Sequence, residues 1–245
     1  MSTLVVGATG ATGSLLVAQL LESGNKVKVI VRSAHRFSSI INEHENLKII
    51  EGSITDIPLD KLSEYVSDCS AIVSCLGHNL NFKGLFGAPR NLVTLATKRL
   101  CQAIIHNKPT TPTKYLLMNT TGNSNRDIPE VTPISQRIVI FILRHLLPPH
   151  ADNENASDIL RLDIGRTNPY IEWAVIRPDA LTNETNISEY EEYPSPIRNP
   201  IFNSGKTSRV NVASFMLKLI SVKESWNHWK GQMPVLYNKI SPENA

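Results

Sequence analysis

Three glycines at intervals of three residues constrain the start of this chain more than any other feature. Gly7, Gly10 and Gly13 lie in the segment GATGATG. A short apolar run, Leu4 to Val6, precedes them, and an amphipathic segment, Ala11 to Ser23, follows. In a strand–turn–helix unit of this kind the first glycine makes the tight turn, the second lets the backbone approach a ligand, and the third lets the helix pack closely on the strand. The spacing therefore predicts a strand and a helix whose N-terminus faces a pyrophosphate.

Short β-branched runs alternate with helical patterns through the first 120 residues, and the alternation continues less regularly to the end of the chain. The predicted strands are Leu4–Val6, Lys26–Val31, Leu47–Glu51, Ala71–Cys75, Lys114–Asn119, 171–178 and 233–238. The predicted helices are Ala11–Ser23, 35–43, Leu59–Val66, Asn91–His106, Pro133–Leu147, Asp152–Arg166 and 210–221. Crossovers in such an alternation are right-handed, which makes the strands parallel and covers both faces of the sheet.

The expected fold is therefore α/β and Rossmann-like, with a mostly parallel sheet of about seven strands and helices on both faces. A length of 245 residues suits a single domain, residues 1–245. Residues 179–209 are polar and rich in Asn, Pro and Glu, which favours irregular structure. Together with residues 122–168 they are expected to form a small subregion on the substrate side of this domain.

The composition argues against several classes of protein. Apolar residues make up 41% of the chain and charged residues 19%, as in proteins with a packed core. The net charge is only +3 and the basic residues are scattered, so no nucleic-acid partner is expected. Neither a long apolar run nor a signal-peptide pattern is present, which favours a cytoplasmic protein without a membrane partner.

The potential metal ligands and thiols carry little functional signal. Cys69, Cys75 and Cys101 are unevenly spaced, which suits reduced thiols in the core better than disulfides. No group of His, Cys, Asp and Glu has the spacing of a zinc site, so no bound metal is expected.

The end of the second predicted strand favours one dinucleotide over another. This position meets the adenosine ribose, and NAD-binding proteins usually place Asp or Glu there to bind the 2′-hydroxyl. Here Arg32 and Ser33 follow the strand. A guanidinium pairs with a 2′-phosphate, which a carboxylate would repel. The sequence therefore predicts NADP(H) as cofactor, the alternative being that Arg32 is a solvated loop residue.

Five segments together carry a family resemblance: GATGATG, VRS at 31–33, GSITD at 52–56, SCLGHN at 74–79 and LMNTTG at 117–122. With them the chain resembles the atypical short-chain dehydrogenase/reductases. Within that group it is most similar to the NmrA-like proteins and to the NADPH flavin reductases of the biliverdin reductase B type, which have an NAD(P)-binding Rossmann domain. The resemblance covers residues 3 to about 238 and is weak at the substrate end.

The resemblance implies roles for individual residues. Residues 7–13 match the phosphate loop, where Thr9 and Thr12 add hydroxyl groups. Ser53 and Ile54 match an Asp–hydrophobe pair that holds adenine, with Ser in place of the usual Asp. The implied cofactor-binding set is Gly7, Thr9, Gly10, Ala11, Thr12, Gly13, Arg32, Ser33, Ser53, Ile54, Cys75, Leu76, Gly77, His78, Asn119, Thr120 and Pro178.

One departure from the family pattern bears on catalysis. Typical members carry a Tyr-x-x-x-Lys pair on the helix after the fifth strand, where the lysine lets the phenol exchange a proton. None of the six tyrosines of this chain has a lysine four residues on. The remaining candidates are His150, since imidazole exchanges protons near neutral pH, and Thr121, which is placed to hydrogen-bond a substrate carbonyl. The alternatives are a surface or helix-capping histidine and a turn threonine.

Two functions remain open from the sequence. The first is an NADP(H)-dependent oxidoreductase that reduces a small carbonyl, quinone or flavin substrate by direct hydride transfer. The second is a non-catalytic NADP(H)-binding regulator or redox sensor of the NmrA type. A nucleotide-sugar epimerase fits less well, because that chemistry relies on the absent tyrosine. Either protein would be a monomer or a homodimer.

Overall fold

A computed structural model of the chain describes residues 2–34, 43–78, 89–130, 148–199 and 203–239. The helices expected at 35–43 and Pro133–Leu147 fall, apart from residue 43, outside these described residues. Within them, no helix is long and apolar enough to cross a membrane.

Ten strands and six helices are present in the described part of the chain. The strands are β1 Ser2–Val6, β2 Lys26–Val31, β3 Leu47–Glu51, β4 Cys69–Ser74, β5 Thr113–Met118, β6 Ile171–Pro178, β7 Ala180–Thr182, β8 Tyr190–Tyr193, β9 Lys206–Ser208 and β10 Val235–Asn238. The helices are α1 Ala11–Glu22, α2 Leu59–Val66, α3 Leu92–Asn107, α4 Pro148–Asp158, α5 Arg209–Ser221 and α6 Lys223–Trp229. A π-helical segment, Ile159–Ile164, continues α4.

Eight strands form one sheet in the order β3-β2-β1-β4-β5-β6-β10-β8. All neighbours are parallel except β10 and β8, which pair antiparallel. β7 and β9 form a separate two-stranded parallel sheet. The predicted α/β, Rossmann-like fold is confirmed, with eight strands in the main sheet.

The core lies on both faces of the sheet because successive residues of a strand point to opposite sides. Leu4 and Val6 of β1 face one side, where α2, α3 and α4 pack, and Val5 faces the other, where α1 and α5 pack. These three strand residues are almost completely buried. Helices on both faces leave the carboxyl ends of the parallel strands as the open edge, where ligands bind in such sheets.

The expectation of irregular structure over 179–209 was wrong in three places. β7, β8 and β9 all lie in this segment. Tyr190 and Tyr193, which bound β8, pair with Asn238 and Val235 of β10. Because this pairing joins distant parts of the chain, the polar composition of the segment does not reveal it.

Candidate functional site

A cavity of about 400 Å³ lies at the carboxyl ends of β1 to β4. In the sheet, β1 lies between β2 and β4. The chain leaves the carboxyl ends of these neighbouring strands toward opposite sides, and a crevice remains between the connections. The loops after all four strands contribute to its wall. The lining residues are Val6, Gly7, Ala8, Thr9, Gly10, Ala11, Ile30, Val31, Arg32, Gly52, Ser53, Ile54, Thr55, Cys75, Leu76, Gly77, Pro89 and Leu92.

Two of the three glycines in the turn between β1 and α1 cannot be replaced by a larger residue without a clash. Gly7 has a φ of +76°, and a Cβ there would lie 2.5 Å from the carbonyl carbon of Cys75. A Cβ on Gly13 would lie 2.2 Å from the carbonyl oxygen of Gly7. Both distances are far below van der Waals contact, so the turn holds β1, α1 and the loop after β4 close together. The tight turn and close packing predicted for these glycines are present.

The N-terminus of α1 opens onto the cavity. Gly10 occupies the N-cap position, where no side chain accepts a hydrogen bond from the first turn, and that turn contains no acidic residue. Gly10 and Ala11 both line the cavity. The amide groups of a helix's first turn lack partners within the helix and carry a partial positive charge. This end of the cavity therefore suits a phosphate group.

The charge of the lining also suits an anion. Among the described residues that line the cavity, Arg32 is the one with a charged side chain. It is exposed, directly after β2. Glu51, which pairs with Val31 in the β2–β3 ladder, does not line the cavity, and its carboxylate accepts a hydrogen bond of 2.7 Å from the Ala34 N–H.

The loop after β3 forms the side wall next to Arg32. The Gly52 N–H donates to the Val31 carbonyl oxygen at 2.8 Å, which ties this loop to the end of β2. Arg99 of α3 donates to the carbonyl oxygens of Ile54 (3.0 Å) and Ile57. The loop that presents Ser53 is thus held from two sides.

The loop after β4 forms the opposite wall. Cys75 is half-buried, and burial of its thiol raises the pKa to about 12, so it remains a neutral thiol at physiological pH. Its Sγ lies 3.9 Å from the Met216 sulfur. Cys75 therefore contributes packing and backbone to the wall, without a reactive thiolate.

His78, at the end of the same loop, pairs with a carboxylate of α4. Its Nε2 lies 2.8 Å from Oδ2 of Asp152. Asp152 also accepts hydrogen bonds from the Val93 and Thr94 N–H groups at the start of α3, at 2.8 and 2.9 Å. Burial alone would raise the pKa of Asp152, but the hydrogen bonds from His78, Thr94 and Val93 outweigh it and hold the pKa below its ordinary value.

Thr121, a predicted catalytic residue, is buried in the loop after β5. Its hydroxyl donates to Oδ1 of Asp179 at 3.0 Å. The other carboxylate oxygen of Asp179 accepts from the Gly205 N–H at 2.7 Å. Burial raises the pKa of Asp179, although the hydrogen bonds from Gly205 and Thr121 oppose that shift. The hydroxyl proton of Thr121 is therefore engaged with Asp179.

His150, the other predicted catalytic residue, lies on α4 beside the loop after β5. Its Nε2 is 3.5 Å from Oε1 of Glu154, one turn further along the helix. This nitrogen is buried and makes no hydrogen bond with any residue that the structure describes. Its Cε1 lies 3.6 Å from where a Cβ on Gly122 would be. The side chain of His150 is 11% exposed, so the imidazole is largely withdrawn from solvent.

The cavity brings together many of the residues predicted to bind the cofactor. Thr12, Gly13, Ser33, His78, Asn119, Thr120 and Pro178 belong to the predicted set but do not line it. Asn119 is turned toward α4, where its Nδ2 donates to the Asn153 carbonyl oxygen at 2.9 Å. Sequence reasoning missed eight of the lining residues: Val6, Ala8, Ile30, Val31, Gly52, Thr55, Pro89 and Leu92. It also missed the carboxylates of Asp152 and Asp179, which bind predicted site residues.

A family model described as NAD(P)H-binding matches residues 7–223, from the first glycine of the turn to the start of α6. The chain belongs to the NAD(P)H-binding family. Three features of the cavity fit such a cofactor. They are the close-packed turn at Gly7 and Gly13, the N-terminus of α1, and Arg32 as the one charged side chain among the described lining residues. The predicted membership of an NAD(P)-binding Rossmann family is thereby confirmed.

Curated relatives of the NAD(P)H-binding chain are distant or short matches. An uncharacterized chloroplastic protein of Arabidopsis thaliana is 39% identical over 71 residues, 29% of this chain and 25% of the relative. The oxidoreductase aflX of Aspergillus parasiticus is 24% identical over 190 residues, 74% of this chain and 65% of the relative. The chain thus spans less than two thirds of the length of either relative.

Solved structures share the fold of this NAD(P)H-binding chain. One is a short-chain dehydrogenase/reductase from Veillonella parvula in complex with NADP, with a TM-score of 0.71 and 15% sequence identity. The superposition covers 99% of this chain and 95% of the Veillonella chain. ChuY, an anaerobilin reductase from Escherichia coli O157:H7, has a TM-score of 0.68 at 13% identity, with coverages of 99% and 100%. The Rossmann-like fold expected from the sequence is shared with both solved structures.

Proposed function

We propose that this chain is an NADPH-dependent reductase of a small carbonyl, quinone or flavin substrate. The observation that carries the proposal is the charge of the cavity, where Arg32 supplies the one charged side chain among the described lining residues. A guanidinium at the ribose end of the cavity, with no carboxylate among the described lining residues, favours a 2′-phosphate over a 2′-hydroxyl. The NADP complex of the Veillonella parvula relative agrees with this choice.

Each part of the cavity has a task in this proposal. The turn at Gly7–Gly13 would hold the pyrophosphate, Arg32 and Ser33 the 2′-phosphate, and the loop at Ser53–Ile54 the adenine. Cys75, Leu76 and Gly77 would line the nicotinamide ribose. When bound, the reduced nicotinamide supplies a hydride, which requires a substrate held against it and no further side chain.

The substrate would bind against a small subregion of the single domain, which the segments 122–168 and 179–209 would form. His150 is our candidate proton donor, because its buried Nε2 lies 3.5 Å from the Glu154 carboxylate and has no hydrogen-bond partner among the described residues. Thr121 would then act through Asp179, by fixing the loop after β5 rather than by donating its own proton.

The names of two similar proteins support reductase chemistry. One is an oxidoreductase, aflX, and the other an anaerobilin reductase, ChuY. Carbonyl, quinone and flavin acceptors take a hydride from a nicotinamide, and a nearby acid or water supplies the proton.

The test combines binding with turnover on one protein sample. NADPH and NADH affinities are measured by titration, and NADPH consumption is followed at 340 nm with flavins, quinones and small aldehydes. Preference for NADPH together with turnover of one acceptor class is the expected result. Equal affinity for NADH and NADPH would contradict the argument from Arg32.

A second candidate, a non-catalytic NADP(H)-binding regulator, is favoured by two observations. The Thr121 hydroxyl is engaged by Asp179, and no tyrosine of the chain has a lysine four residues on. A regulator needs to bind the dinucleotide without moving a proton. Tight NADPH binding without turnover of any acceptor would favour this function over the reductase.

A further inference from the structure

A charged side chain lies completely buried in β6, one residue before the strand ends. Arg177 Nε donates to the Met233 carbonyl oxygen at 2.8 Å, and Nη1 donates to the Asn123 carbonyl oxygen at 2.9 Å. Nη2 donates to Oε1 of Glu130 at 2.7 Å and to the Pro194 carbonyl oxygen at 3.2 Å. Because an unpaired buried charge is costly, these four acceptors are what allows the guanidinium to remain there.

The four acceptors belong to separate parts of the chain. Asn123 and Glu130 lie in the loop after β5, and Pro194 directly follows β8. Met233 lies two residues before β10. The loop after β5 and the end of β8 belong to the two segments that are expected to form the substrate-side subregion. One guanidinium therefore joins both segments to the main sheet.

Glu130 determines the shape of the loop after β5. Its side chain is 6% exposed. Oε1 accepts from Arg177, and Oε2 accepts from the Asn125 N–H at 3.0 Å. The Asn125 side chain in turn accepts from the Asp127 N–H at 3.0 Å. The loop is therefore folded around a carboxylate that Arg177 holds in place.

The start of the same loop contacts α4, which carries the candidate proton donor. Asn123 Nδ2 donates to Ser157 Oγ of α4 at 2.7 Å. A Cβ on the preceding residue, Gly122, would lie 3.6 Å from Cε1 of His150. The bond from Arg177 to the Asn123 carbonyl oxygen therefore fixes the part of the loop that lies beside the imidazole.

The place of these groups in the sheet separates them from the dinucleotide cavity. The cavity lies at the ends of β1 to β4, and β5 and β6 are the next strands along the sheet. Ligands of open α/β sheets bind across the carboxyl ends of the strands. A substrate that meets the nicotinamide would therefore lie over the ends of β5 and β6. Among the described lining residues of the cavity, neither Arg177 nor any of its four partners is found.

We propose that Arg177 is a positioning residue for the acceptor substrate. Together with Glu130 it fixes the loop after β5 and the end of β8 as the wall against which the acceptor binds. The planar guanidinium presents its donors in fixed directions, so the segments that satisfy it are held in one arrangement. The proposal rests on the proposed reductase. Weakening the pair should move this wall without changing the cavity that would hold NADPH.

The test separates acceptor binding from cofactor binding. Arg177→Lys keeps the charge but lacks the planar set of donors, and Glu130→Gln keeps the size of the side chain but removes its charge. In both variants we expect the KM for the preferred acceptor to rise about tenfold, with the Kd for NADPH changed by less than about twofold. The double variant should raise KM no further than the larger single effect, because both substitutions weaken one contact.

Arg166→Lys is the matched control. Arg166 also pairs with the loop after β5, at 3.5 Å from Oδ2 of Asp127, but its side chain is 56% exposed. An exposed ion pair contributes little, so the acceptor KM should stay unchanged. Circular dichroism checks the folding of each variant. A purely structural role would lower kcat and the number of NADPH sites per chain together and would leave KM unchanged.

The outcomes separate this inference from the proposed function. An unchanged acceptor KM in the folded variants would overturn the positioning role while leaving the reductase in place. Equal rises in the acceptor KM and in the Kd for NADPH would also overturn it, because they would show a general distortion. If Arg177→Lys does not fold, Glu130→Gln alone decides. Absence of turnover by the unaltered protein with every acceptor would overturn the reductase and this inference with it.

Discussion

His78 and Asp152 are 74 residues apart in the chain, yet Nε2 of the first lies 2.8 Å from Oδ2 of the second. The pair joins the loop after β4, which lines the cavity, to α4, which carries His150. Asp152 also caps the start of α3 through the Val93 and Thr94 N–H groups. One carboxylate therefore positions three elements around the candidate site.

The first prediction concerns the stability that Asp152 provides. Asp152→Asn puts an NH₂ group where one carboxylate oxygen accepts hydrogen bonds, and it leaves a buried donor unpaired. We expect a loss of about 1–3 kcal/mol in the free energy of unfolding at pH 7. Urea unfolding measures this loss, and Glu22→Gln, at an exposed carboxylate, should change stability by less than about 0.5 kcal/mol.

The same substitution has a predicted pH dependence. Hydrogen bonds, chiefly from His78, hold the pKa of Asp152 below its ordinary value despite the opposing effect of burial. A lowered carboxyl pKa stabilises the fold above the unfolded-state value of about 4, and this contribution is lost as the pH falls through the folded-state value. The difference between the unaltered protein and Asp152→Asn should therefore shrink below pH 4. A constant difference from pH 7 to pH 3 would contradict this.

The glycine turn supports a second prediction. Gly13→Ala places a methyl group 2.2 Å from the Gly7 carbonyl oxygen, so the turn must shift. We expect a loss of about 3 kcal/mol or more in stability and of detectable NADPH binding. Gly77→Ala is the matched control, because Gly77 also lines the cavity but nothing lies within 4 Å of its added Cβ. If both variants unfold alike in urea, the packing argument fails.

Much of the fold could be predicted because its signals are local. The spacing of Gly7, Gly10 and Gly13 determines how β1 turns into α1, and alternating apolar patterns indicate the central strands. The pairing of β8 with β10 could not be predicted, since Tyr190 meets Asn238 only through tertiary packing. The strand Tyr190–Tyr193 is acidic and short, so its sequence is equally typical of a loop.

Some residues of the candidate site could likewise be predicted from local sequence, and others could not. Arg32 and Ser53 could be predicted because each directly follows a recognisable strand. Asp152 could not, because its role depends on α4 packing against the loop that carries His78. The side chains of Ser53, Thr55 and Asp56 are an intermediate case. The run Ser-x-Thr-Asp permits local side-chain hydrogen bonds, and the structure shows two of them, at 2.7 and 2.8 Å.

The third prediction tests the choice of dinucleotide. Arg32→Glu removes a charge-assisted hydrogen bond and adds repulsion, so NADPH binding should weaken by roughly 2–3 kcal/mol, about 30- to 150-fold. NADH binding should change little. Lys26→Glu makes the same charge change at the opposite end of β2, where the side chain is exposed and does not line the cavity. A similar loss in both variants would indicate a general effect of charge and would contradict a specific contact at Arg32.

The last prediction concerns the proton that accompanies hydride transfer. His150→Gln removes the imidazole while keeping a polar side chain of similar length. If His150 donates the proton, kcat should fall by about 10²-fold with NADPH affinity unchanged. Glu154→Gln should give a smaller fall, because it removes only the carboxylate that lies 3.5 Å from Nε2. His228→Gln, at an exposed histidine of α6, is the matched control and should leave kcat unchanged. Steady-state rates at 340 nm with the preferred acceptor measure these effects. A kcat that is unaltered in His150→Gln would contradict the role of His150 as proton donor.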